Sequence, residues 1–198
     1  MKTLTTLCLY LVTAVWFAST STAFADADQT QVKVGDKAPV FEAKDDTGKT
    51  WKSSDRVGKK VLVVYFYPAD MTPGCTKQAC GFRDDMKKLT GKDVEVVGVS
   101  GDSVRNHQLF KKVYDLNFTL LADEDGAVAK KFGVPLGKGR SITRTIGGKE
   151  EVLTRGVTAV RWTFVIDQKG LIVLKNTKVK AAKDSKAILK AVEKLKEK

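Results

Sequence analysis

The chain has 198 residues, 42% of them hydrophobic and 29% charged, with 35 basic against 23 acidic side chains and a formal net charge of +12. That balance excludes a disordered or fibrous chain and allows one soluble domain with a good core. The lysines are scattered ("VGKK", "MKKL", "KKVYD") rather than interleaved with aromatics, which describes a solvated basic surface rather than a nucleic-acid site.

Residues 1–25 read as a cleaved secretory signal: Lys2, an apolar segment from Leu7 to Phe17, and the small-residue site Ala23-Phe24-Ala25 before Asp26. The apolar run is shorter than the roughly 20 residues that span a bilayer, so no stable membrane insertion is expected. The expected product is residues 26–198, exported to a periplasm or secreted. Cys8 leaves with the signal. Cys75 and Cys80 remain, in a compartment where disulfides persist.

"VKVGDKAPVFEAKDDTGKTWKSSDRVGKK" opens the domain with short extended pieces around an Asp45-Asp46-Thr47-Gly48 turn, a hairpin anchored by Phe41 and Trp51. "VLVVYFY" (Val61 to Tyr67) is continuously apolar, as a central strand covered on both faces must be. A helix is expected from Pro73 or Gly74 to about Leu89, since proline in a first turn forfeits no hydrogen bond. "VEVVGVS" (Val94 to Ser100) is the next buried strand, completing a β-α-β unit with parallel strands.

In "SVRNHQLFKKVYDL" the apolar residues Val104, Leu109, Val113 and Leu116 predict a helix with that side inward. "FTLLAD" predicts a short strand and "EDGAVAKKFGV" a short helix closing at Gly133. Between Gly133 and Arg161, two alternating runs flank Gly147-Gly148, the pattern of an added hairpin within 134–160. "RWTFVID" and "LIVLKN" make another hairpin. The chain closes with an amphipathic helix carrying Ile188, Leu189, Val192 and Leu195 on one stripe. These elements define an α/β domain with a mixed central sheet flanked by helices.

The two cysteines lie in "YPADMTPGCTKQAC". With His107 as the one histidine, they fall short of the four ligands of a structural zinc site. On a continuous helix, five residues separate them by about 7.5 Å of rise and roughly 140° of turn. A disulfide needs α-carbons about 4.4 to 6.8 Å apart, so none forms on an intact helix. Either the pair is a static loop staple preceding the helix, or the first turns unwind when the bond forms. A thiol at a helix amino terminus, beside free backbone N–H groups, is favoured as thiolate and so as nucleophile.

Pro68, Thr72 and Cys75 have the spacing P-x3-T-x2-C. With Cys80 following and R-x-T-F-x-I-D downstream, the chain resembles the peroxiredoxins, most closely the bacterioferritin comigratory protein or peroxiredoxin Q subfamily. The resemblance covers most of residues 26–198. It implies a thioredoxin-like fold and a thiol-dependent peroxidase acting on hydrogen peroxide and organic hydroperoxides. Cys75 would be the peroxidatic cysteine, Thr72 the hydroxyl aligning peroxide and thiolate, Pro68 a shield from solvent and Arg161 the fixed positive charge beside the sulfur. Cys80 would resolve the sulfenic acid as an intramolecular disulfide, reopened by a thioredoxin-like reductant. No cofactor is implied, and a resolving cysteine on the same chain implies a monomer.

Three features depart from the family pattern: Gln78 where an acid is usual, Trp162 where a small residue is common, and a longer segment 134–160. His107 is expected to be structural. Two other readings compete: a thiol-disulfide oxidoreductase on the same fold, disfavoured by the lack of C-x-x-C, and a non-catalytic secreted binding module holding a static disulfide.

Overall fold

The computed structural model describes residues 31–196. The proposed signal, residues 1–25, lies outside them.

Seven strands make the main sheet: β1 (Glu42–Asp45), β2 (Thr50–Lys52), β3 (Val61–Phe66), β4 (Val94–Ser100), β5 (Thr119–Ala122), β8 (Trp162–Ile166) and β9 (Ile172–Asn176). They run through the domain in the order β2-β1-β5-β4-β3-β8-β9. The helices are α1 (Pro73–Thr90), α2 (Val104–Tyr114), α3 (Ala127–Lys131) and α4 (Asp184–Lys196). Strands β3, β4 and β5 are parallel, while β8 joins β3 antiparallel and β9 follows by a hairpin, so the sheet is mixed.

The continuous apolar run of β3 is explained by its central position: every residue is buried. Side chains alternate across the sheet. Val61, Val63 and Tyr65 enter the core under α1, α2 and α4, with Phe82, Phe110, Ile188 and Val192. Leu62, Val64 and Phe66 enter the opposite core with Phe41, Trp51, Phe132 and Phe164. Phe41 and Trp51 anchor the first hairpin, with ring centroids 5.4 Å apart.

Helix α2 differs from its apolar pattern. Val113 is exposed and Val104 half-buried, whereas Asn106, His107 and Phe110 face inward. Polar partners account for this: Asn106 donates to Asp102 Oδ1 (3.1 Å) and to the Thr154 carbonyl (2.9 Å), and His107 Nδ1 lies 2.8 Å from Asp70 Oδ2. A buried polar group with its hydrogen bonds supplied is no longer excluded from the core.

The 134–160 segment is a long hairpin, β6 (Leu136–Ile146) and β7 (Lys149–Ala159), turning at Gly147 and Gly148, both at positive φ. It forms its own two-stranded sheet and lies against the domain through alternate residues: Ile142 and Ile146 pack on the α1-side core, and Leu153 is 1% exposed within it. Backbone contact seats β7, with the Gly156 N–H donating to the Gly101 carbonyl at 2.9 Å.

Candidate active site

The site forms where β3 ends and α1 begins. The chain leaves β3 through Pro68, which is half-buried, and Ala69, Asp70 and Met71, which are buried. Met71 has φ 54°, a left-handed conformation that costs a non-glycine residue about 1–3 kcal/mol. It is held from outside its own loop: Arg144 Nε on β6 donates to the Met71 carbonyl at 3.0 Å. From inside, Asp70 is fixed three ways. Its N–H donates to Asp102 Oδ2 (2.9 Å), the Tyr67 hydroxyl donates to its Oδ1 (2.7 Å), and His107 meets its Oδ2.

Thr72 caps α1 in an extended conformation without a side-chain capping bond. Its hydroxyl donates to the Ala69 carbonyl at 3.0 Å, leaving the oxygen's acceptor capacity available. Pro73 takes the first helical position, so Cys75 sits in the first turn, near backbone N–H groups that have no helical acceptor. Cys75 is 2% exposed.

Across the sheet, Arg161 just precedes β8. Its Nη2 donates to Cys75 Sγ at 3.1 Å, and its Nη1 donates to Gln78 Oε1. Gln78 Nε2 in turn donates to Asp184 Oδ2 at 2.7 Å, where the Thr163 hydroxyl also donates, at 2.8 Å. Burial pushes the Asp184 carboxyl up, against the opposing pull of the Thr163 and Gln78 hydrogen bonds and of Arg161.

Arg161 is therefore brought onto Cys75, while Pro68 and Thr72 lie on the strand-to-helix connection that leads into it. Cys80 does not join them: both cysteines are free on an unbroken α1, with Cys80 half-buried about one and a half turns on. Trp162 stands apart as well, because strand alternation sends it to the far core with Phe164 while Lys175 Nζ rests 4.6 Å over its ring. Sequence reasoning gave no role to Asp70, Arg144, Thr163 or Asp184; Asp70 and Thr163 lie inside the quoted YPADMTPGCTKQAC and R-x-T-F-x-I-D stretches, whereas Arg144 and Asp184 carry no local signal.

Residues 34–175 match the family model described as AhpC/TSA family. The chain belongs to that family. Within it, the chain is 46% identical over 149 residues to the bcp peroxiredoxin of Coxiella burnetii, covering 75% of this chain and 91% of that one. It is 44% identical over 144 residues to the chloroplastic peroxiredoxin Q of Populus jackii, covering 73% of this chain and 60% of the relative. Among solved structures, peroxidoxin BcpB of Mycobacterium tuberculosis superposes with a TM-score of 0.69 at 33% identity, covering 83% of this chain and 99% of the other. The AhpC/TSA chain thus has the thioredoxin-like peroxiredoxin fold of the bcp and peroxiredoxin Q group.

Proposed function

We propose that this chain is a thiol-dependent peroxidase whose peroxidatic residue is Cys75. The observation that carries this reading is the 3.1 Å contact of Arg161 Nη2 with Cys75 Sγ in the first turn of α1. A guanidinium in that place sets a fixed positive charge on the sulfur and meets the charge that develops as an O–O bond breaks. The near-complete burial of Cys75 suits a small peroxide better than a protein disulfide.

In the proposed cycle the Cys75 thiolate attacks the distal oxygen of a hydroperoxide. An S–O bond forms, the O–O bond breaks, and the alkoxide or hydroxide leaves as alcohol or water after taking a proton. Thr72 directs its oxygen lone pairs to the peroxide proton, while Pro68 keeps solvent from the sulfur. The Cys80 thiolate then attacks the Cys75 sulfenic acid, forming the S–S bond and breaking the S–O bond, and the hydroxide leaves as water after taking a proton. A reduced dithiol protein of the thioredoxin type returns two electrons. Because both cysteines lie on α1, its first turns must unwind for this step.

The protein acts as a monomer, resolving its own sulfenic acid, and residues 1–25 direct its export. Stopped-flow measurement of peroxide consumption, with and without reduced thioredoxin, tests the reading. One rapid equivalent without thioredoxin and continued turnover with it is the expected result; absence of the rapid equivalent refutes it.

A further inference from the structure

Gln78 bridges three elements. From α1 it reaches Arg161 beside β8 through Oε1 and Asp184, at the start of α4, through Nε2. Gln78 and Thr163 are fully buried, Asp184 is 2% exposed and Arg161 is half-buried.

An amide carries no net charge, so its orientation is decided by its neighbours. A carboxylate only accepts, and Asp184 Oδ2 already receives the Thr163 hydroxyl. The NH2 end of Gln78 must face Asp184, and its oxygen must then face the guanidinium. With the amide reversed, donor would meet donor at Arg161. Among the described residues Arg161 pairs directly with no carboxylate; besides the Cys75 sulfur, the acidic group that reaches it is Asp184, through the Gln78 amide.

We propose that Asp184 is a positioning residue of the Cys75 site: acting through the Gln78 amide, it orients Arg161 so that Nη2 rests on the sulfur. This role deepens the peroxidatic reading of Cys75 proposed above.

The relay is also tied to the state of α1. Gln78 lies between Cys75 and Cys80, so the turns that open to bring the sulfurs together carry Gln78 away from Arg161. Asp184 stays behind on α4, held by Thr163. The arginine is therefore aligned only while the first turns of α1 are helical, which is when Cys75 faces incoming peroxide. Beyond the opening turns α1 stays close against α4: a β-carbon at Gly81 would come within 3.1 Å of Ser185 Oγ, and that hydroxyl donates to Asp85 Oδ2 at 2.9 Å.

The test exchanges the acid and the amide. In a Cys80→Ser background, Cys75 alkylation by iodoacetamide at neutral pH and single-turnover consumption of hydrogen peroxide are compared for the parent, Asp184→Asn and the double variant Gln78→Glu/Asp184→Asn. Asparagine keeps the shape of Asp184 and one oxygen to accept from Thr163 and Gln78, but not its charge. The double variant returns the charge one position closer to Arg161, with the asparagine amide donating to the new carboxylate. Asp184→Asn is expected to slow both reactions about tenfold, the scale of one charge-assisted hydrogen bond. The double variant is expected to recover to within about threefold. A merely structural role predicts no such recovery. An Asp184→Asn protein that reacts at the parent rate, or a double variant as slow as the single one, overturns the proposal. If alkylation shows the slowing and recovery while the parent consumes no peroxide, the relay to Cys75 is upheld and the peroxidase reading fails.

Discussion

Arg161 and Cys75, 86 positions apart in the chain, meet at 3.1 Å, and the same guanidinium reaches Gln78 one turn along α1. Two donors on one rigid plane thus address two residues of the helix. Lysine has no such plane and cannot make both contacts. Arg161→Lys is expected to lower the single-turnover rate constant with peroxide about a hundredfold, in the range found for losing one donor to a developing charge. Stopped-flow kinetics on the reduced protein checks this.

Cys80→Ser separates the two chemical steps. The variant should consume one equivalent of peroxide, add one oxygen to Cys75 that a sulfenic-acid trap captures, and turn over no further with thioredoxin. Intact-protein mass spectrometry reads each state, and normal thioredoxin-linked turnover in this variant would remove Cys80 from the cycle.

The left-handed Met71 depends on the β6–β7 hairpin, since Arg144 Nε holds its carbonyl. Arg144→Ala leaves the Cys75–Arg161 contact untouched but frees the loop carrying Thr72. A fall of about five- to tenfold in the peroxide rate constant is expected, the scale of one charge-assisted hydrogen bond. The global urea midpoint should change little, because Arg144 lies at the hairpin's edge.

His107 gives the fold a pH dependence. Burial opposes its charging, but the Asp70 carboxylate, the hydrogen bond to it and nearby Asp102 outweigh burial and raise its pKa above the ordinary value. A raised value in the folded state means that the imidazolium–Asp70 pair contributes fully below the unfolded pKa of about 6.5 and is lost as pH rises through the folded value. The urea midpoint should therefore fall as pH rises from about 6.5 through the raised folded-state value, and His107→Gln should flatten that dependence.

The hairpin is seated by glycines that leave no room for a side chain. A β-carbon at Gly101 would stand 2.2 Å from the Val157 carbonyl oxygen, and one at Gly156 would stand 2.1 Å from that of Glu124. Both obstacles are backbone, so β7 must move off the loops that follow β4 and β5. Gly156→Ala is expected to cost about 1–3 kcal/mol, as overpacking does, and to slow the peroxide reaction by displacing Arg144. Urea unfolding and stopped-flow kinetics read the two effects.

Much of this molecule is local and so was legible in the sequence. The apolar run of β3, the proline that starts α1, the paired glycines that turn the hairpin and the stripe of α4 each express a period or a backbone preference within a few neighbouring residues. The P-x3-T-x2-C spacing belongs to the same class, because Pro68, Thr72 and Cys75 share one strand-to-helix turn. What the tertiary structure alone decided is where polar groups find partners. Asn106 and His107 turn inward, against the apolar pattern of α2, because Asp70, Asp102 and the Thr154 carbonyl wait for them on other elements. Gln78, which by its sequence merely lacks a charge, is joined to a carboxylate 106 positions away. A buried hydrogen bond is satisfied by whichever group the packing brings within about 3 Å, and separation along the chain carries no record of that.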